Sequence, residues 1–136
     1  MSTCPKRILI GTSEKDILRC ARIILRHHLQ GRGGVIVSSV AGRDDLVRRA
    51  VTGKFDLIIL FGQTLLPGRD RVNLPLENSV RAIQEVKANV TTPILALSSM
   101  PETKPRLLAA GADAFLAMPF AVKNFIGAVH RGLKRE

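Results

Sequence analysis

The segment Gly11-Thr12-Ser13-Glu14-Lys15-Asp16 follows a short apolar run and opens a helical pattern, a setting in which a chain can cradle a phosphate. It lacks the second and third glycines that let a pyrophosphate approach a helix N-terminus, so dinucleotide binding is disfavoured. Gly31-Arg32-Gly33-Gly34 is richer in glycine but follows a helical pattern and precedes a strand, which makes it a helix cap and turn. His27, His28 and His130 fall inside helical patterns, and no Gly-x-Ser-x-Gly elbow accompanies them, so a hydrolase triad has little support. Cys4 and Cys20 are too few and too far apart for a zinc knuckle or a disulfide framework, and read as reduced thiols. Thr12, Ser13 and Thr64 offer hydroxyls for an unconventional enzyme or phosphoacceptor, but no base or metal cluster accompanies them. The expectation is a protein that is not an enzyme and needs neither metal nor cofactor.

What the sequence does organise is positive charge. Lys and Arg number 21 against 11 Asp and Glu, a formal net charge of +10 that favours acidic partners. Lys15, Arg19, Arg22 and Arg26 recur at helical spacing, which places them on one stripe opposite an apolar face. Lys123, Arg131, Lys134 and Arg135 lie in a last helical pattern. A solvated helix face, with terminal cations complementing a helix dipole, is the bland account of both groups; a partner surface is the functional one. Aromatic residues make up 4% of the chain, with no Trp or Tyr, so stacking platforms for single strands are few. Non-specific contact with a nucleic-acid backbone stays open.

The elements that must position these residues are read from periodicity. At 136 residues the chain is one domain, residues 1–136, large enough to bury roughly two-thirds of its unfolded surface. Apolar runs at residues 7–10, 35–39, 56–61, 94–98 and 114–117 are strand candidates. Helical patterns occupy residues 14–29, 44–51 and 76–88, then a weak one at 103–110 hemmed in by Pro101 and Pro105, and a last one from Val122 to Leu133. Gly127 and Gly132 inside that last helix cost roughly 1 kcal/mol each relative to alanine, which suggests close packing or a contact surface. Strands apolar on both faces and alternating with helices predict a parallel sheet covered on both sides, with ligands expected outside the carboxyl ends of the strands. The apolar runs are too short for a membrane span and no secretory signal is visible, so a soluble cytoplasmic protein is expected.

The strand-end residues carry a resemblance. Gly111-Ala112-Asp113-Ala114-Phe115-Leu116-Ala117-Met118-Pro119-Phe120 resembles the fifth-strand signature of bacterial response-regulator receiver domains. Asp56-Leu57-Ile58-Ile59-Leu60 resembles their third strand, and Thr92-Pro93-Ile94-Leu95-Ala96-Leu97-Ser98 their fourth. The resemblance covers nearly the whole chain and implies a flavodoxin-like (βα)5 α/β fold, a five-stranded parallel sheet with helices on both faces. Receivers phosphorylate an aspartate at the end of the third strand, using Mg²⁺ held by acids after the first strand and a lysine before the fifth-strand proline.

In this sequence the aspartate position is Phe61, or Gln63 if the register follows the Leu66-Pro67-Gly68 turn. Thr12 and Ser13 replace the acidic turn, leaving only Glu14, and Met118 replaces the lysine. Exchanging both the acids and the lysine for uncharged groups avoids leaving one buried charge unpaired. The resemblance thus implies a degenerate phosphorylation pocket, plugged by Phe61 and Met118, with a cis bond before Pro119 turning Met118 toward Phe61. Ser98 and Phe115 stand at the family's switch positions, retained either for switching or for packing. The expected function is a phosphorylation-independent signalling or protein-interaction module. Its partner would be a signalling protein with an acidic docking surface, met on the basic first-helix face or on the surface of the fourth helix, fifth strand and fifth helix that receivers use for dimers, so that the resemblance also suggests a homodimer. A nucleic-acid or anionic-surface binder is the alternative.

Overall fold

The computed structural model describes residues 5–29, 34–69 and 74–134. The expectations for Cys4, for Gly31 to Gly33 and for Arg135 lie outside those residues.

Five strand-and-helix units follow one another: β1 (Lys6–Gly11), α1 (Lys15–His28), β2 (Val35–Val40), α2 (Arg43–Thr52), β3 (Leu57–Phe61), α3 (Pro75–Asn89), β4 (Ile94–Ser98), α4 (Lys104–Ala110), β5 (Ala114–Ala117) and α5 (Val122–Leu133). The strands form one parallel sheet in the order β2-β1-β3-β4-β5. The order reverses at β1, so the loops after β1 and β3 diverge to opposite faces and leave a crevice between them. This is the flavodoxin-like receiver architecture expected from the sequence.

Alternation within the strands divides the interior in two. Leu9, Ile58, Leu60, Ile94 and Ala96 point to one face and pack with Leu46 of α2, Ile83 and Val86 of α3 and Leu107 of α4. Ile8, Ile10, Leu57, Ile59, Phe61, Leu95 and Leu97 point to the other and pack with Ala21 and Leu25 of α1 and Phe125 and Val129 of α5. Both faces of β3 are therefore buried, which is why its sequence reads as one apolar run without polar alternation.

Helix boundaries follow local chemistry. The weak fourth helical pattern begins as a single 3₁₀ turn at Pro101–Thr103 and becomes α-helical only at Lys104, because two prolines withhold amide donors there. Asp56 falls just outside β3 rather than in it: its carboxylate accepts the Arg7 amide at 2.8 Å and so ties the entry of β3 to β1. Gly132 fulfils the close-packing expectation, since a Cβ there would lie 2.7 Å from Leu57 Cδ1. Gly127 does not, its nearest neighbour being the flexible end of Arg131 at 3.4 Å.

Candidate functional site

The crevice at the carboxyl end of the sheet is closed by hydroxyl groups. Thr12, the first residue after β1, is 3% exposed. The Glu14 amide donates to Thr12 Oγ1 at 3.1 Å, Thr12 Oγ1 and Thr64 Oγ1 are 2.7 Å apart, and Thr64 Oγ1 donates to the Phe61 carbonyl at 2.7 Å. Because the Thr64 proton is committed to that carbonyl, Thr12 must be the donor in the central bond, and the chain of bonds runs in one direction. Ser13 reinforces it: its amide donates to the Thr64 carbonyl at 2.7 Å, and its hydroxyl donates to the same oxygen. A latch without formal charge thus joins the loops after β1 and β3. Thr64 was weighed in the sequence only as a nucleophile; its role as a bridge depends on a partner 52 residues away.

Phe61 is the last residue of β3, opposite Leu97 in β4, and is 1% exposed. Gln63 lies beyond the strand end in a turn with φ 73°, so the strand-end position belongs to Phe61. The Gln63 side chain reaches across to β4, where Ser98 Oγ donates to its Oε1 at 3.3 Å. Ser98, itself 1% exposed, also accepts the Met100 amide at 3.0 Å. Below the turn, buried Asn78 donates to the carbonyls of Leu65 and Leu66 at 2.8 and 3.0 Å, fixing the loop onto α3.

Met118 and Phe61 share the wall of one cavity of about 320 Å³, whose lining also includes Asp16, Ile17, Ala21 and Phe120. The Met118-Pro119 peptide is cis, as the resemblance implied. Phe115 is half-buried and packs toward the opposite face of the sheet, against the cluster of Leu107 and Ile83.

Comparison with known proteins agrees with this architecture. No protein-family model matches the chain. Protein PetR of Rhodobacter capsulatus is 33% identical over 139 residues, spanning 99% of this chain and 52% of that protein. The transcriptional regulatory protein PdtaR of Mycobacterium tuberculosis is 28% identical over 133 residues, spanning 96% of this chain and 58% of that protein. A solved receiver domain of a sensor histidine kinase from Pseudomonas aeruginosa, with magnesium coordinated in its active-site cleft, superposes with a TM-score of 0.76 at 21% identity, over 96% of this chain and 98% of that one. The chemotaxis protein CheY4 of Vibrio cholerae superposes with a TM-score of 0.72 at 23% identity, over 96% of this chain and all (100%) of that one. The chain has the fold of a response-regulator receiver domain. It spans little more than half the length of the curated relatives it matches.

The Mg²⁺ of the receiver family does not fit the residues present here. A hard divalent cation needs several oxygen ligands, carboxylates foremost. Among the described residues at these strand ends, the carboxylates of Glu14 and Asp16 are both on exposed residues, while the Thr12, Ser13 and Thr64 oxygens are engaged with one another and with backbone. Among the described residues no three His, Cys, Asp or Glu side chains converge as a ligand set.

The basic stripe on α1 is interrupted. Lys15, Arg19 and Arg26 are exposed, with Arg19 only 4.0 Å from Asp16. Arg22 departs from the expected ridge: it is half-buried, and its Nη2 donates to Ser39 Oγ on β2 at 3.0 Å. The reason is position, since the fourth-turn spacing that aligns Arg22 with its neighbours also brings it over the edge strand, whose hydroxyl captures it. α1 and α5 are neighbours, as expected, and Lys123 is exposed. Arg131, however, lines a separate hollow with Pro93, Leu95 and Asp113.

Proposed function

We propose that this receiver domain works without phosphorylation, as a protein-interaction module of a signalling pathway, and that it is not an enzyme. One observation carries the reading: the end of β3 holds a fully buried Phe61, and the loops that would cradle a phosphoryl group are already joined by the Thr12, Ser13 and Thr64 latch. An aromatic ring cannot form an acyl phosphate, and hydroxyls committed to each other offer no charge to neutralise a transferring phosphoryl group. Acidic surface of a signalling partner is the complement to the exposed cations Lys15, Arg19 and Arg26.

The test is a titration of ¹⁵N-labelled protein with Mg²⁺ and beryllofluoride, beside intact-mass analysis after incubation with acetyl phosphate. No saturable shift at Thr12, Phe61 or Ser98 and no mass gain are expected. A phosphoryl adduct, or shifts centred on those three residues, would overturn the reading. Reversing Lys15, Arg19 and Arg26 to Glu should abolish capture of the native partner while leaving the amide spectrum folded.

A further inference from the structure

We propose that the opposite end of the sheet, remote from the latch, carries a binding site for a small phosphomonoester with a flat apolar body. A hollow of about 520 Å³ opens at the amino ends of the strands. Lys6, His28, His130 and Lys134 line it, and among the described residues no Asp or Glu does. Its remaining wall is aliphatic, supplied by Leu29, Val35 and Leu133, each half-buried.

These basic residues come from separate parts of the chain. Lys6 opens β1, His28 closes α1, and His130 and Lys134 stand in and just after the last turn of α5. Complementing helix carbonyls accounts for basic residues at the ends of α1 and α5. It does not account for Lys6, which stands on a strand and reaches the same hollow. Among the described residues, none of the four is in an ion pair, whereas Arg48, Lys87 and Arg106 elsewhere are each paired with a carboxylate. Among the described residues, Lys6 and Lys134 bring two ammonium groups without a carboxylate partner to one concavity, which favours an anion there.

Shape decides between anions. A duplex backbone is met by charges along an extended surface, but the stripe on α1 is broken at Arg22. The hollow is instead of small-molecule size, lined by half-buried aliphatic residues and by exposed basic ones. Ammonium and imidazole N–H groups suit phosphate oxygens, and the aliphatic side chains of Leu29, Val35 and Leu133 suit an apolar ring. A negative result at this site leaves the reading of the strand-end crevice untouched, because the two lie at opposite ends of the sheet.

The whole chain, ¹⁵N-labelled, is titrated with AMP and with naphthyl phosphate, and in parallel with adenosine. Saturable shifts of the Lys6, Leu29, Val35 and Lys134 amides by at least one phosphate, with adenosine about tenfold weaker or more, are expected. K6E/K134E should weaken binding by about tenfold or more, H130E should also weaken it, and R19E should leave it unchanged. All four substitutions fall at exposed positions, and the spectrum of each variant verifies its fold. Adenosine binding as tightly as AMP, unaltered affinity in folded K6E/K134E, or no saturable shift with either phosphate would overturn the proposal. So would retention of duplex DNA, steeply weakened by salt, by a protein that ignores both phosphates.

Discussion

Replacing Thr64 by Val tests whether the latch is one cooperative unit. Valine keeps the β-branched shape, so the backbone preference of the loop is unchanged. The substitution removes two hydrogen bonds, Thr12 to Thr64 and Thr64 to the Phe61 carbonyl, each 2.7 Å long and each worth about 0.5 to 1.5 kcal/mol net. The Phe61 carbonyl keeps the Thr64 amide at 3.3 Å, but the hydroxyl proton of Thr12, 3% exposed, loses its acceptor. That orphan adds about 1 kcal/mol, giving roughly 2 to 4 kcal/mol in all. Thr12→Val is milder, about 1 kcal/mol, because Thr64 still donates to Phe61 and water can reach the amide of exposed Glu14. The double variant leaves no orphan and should be less destabilised than the sum of the singles by about 1 kcal/mol or more. Urea unfolding reads this directly: with a slope of about 1 to 3 kcal/mol per molar, Thr64→Val lowers the midpoint by roughly 1 M. Additivity of the two substitutions within about 0.3 kcal/mol would refute the latch.

Gly132→Ala should destabilise by about 1 to 3 kcal/mol despite alanine's better helix propensity, since its Cβ meets Leu57 at 2.7 Å, whereas Gly127→Ala should stabilise by up to about 1 kcal/mol; opposite shifts in thermal midpoint check the pair. Phe61→Asp restores the acceptor's chemical type, yet it should cost about 3 kcal/mol or more and remain unphosphorylated by acetyl phosphate, because the latch persists and Met118 supplies no charge; a phosphoryl adduct in its mass spectrum would contradict this. Arg22→Ala should lower stability by about 1 kcal/mol through loss of the Ser39 bond, against about 0.5 kcal/mol or less for Arg19→Ala, whose side chain is 75% exposed; chemical denaturation of both separates them.

Local pattern was sufficient for the elements and for the replaced chemical groups. The Leu57-to-Phe61 run, the stripe of Ala21 and Leu25 in α1 and that of Phe125 and Val129 in α5 each carry their own periodicity, and burial on two faces follows from it. The types at Phe61 and Met118 were equally legible, because a side chain's functional group is written in the sequence whatever surrounds it.

Tertiary structure alone decided how those groups are used. Thr12 and Thr64 are 52 residues apart and meet only because β1 and β3 are adjacent strands whose ends are level. Arg22 belongs to a basic stripe by spacing but to β2 by contact, since helical periodicity fixes a direction around the axis and not what lies in that direction. The hollow lined by Lys6, His28, His130 and Lys134 exists because the amino end of the sheet and two helix ends are brought together by strand order. Periodicity is information over one or two turns of chain, whereas convergence of distant residues is set by register and packing, which no single segment contains.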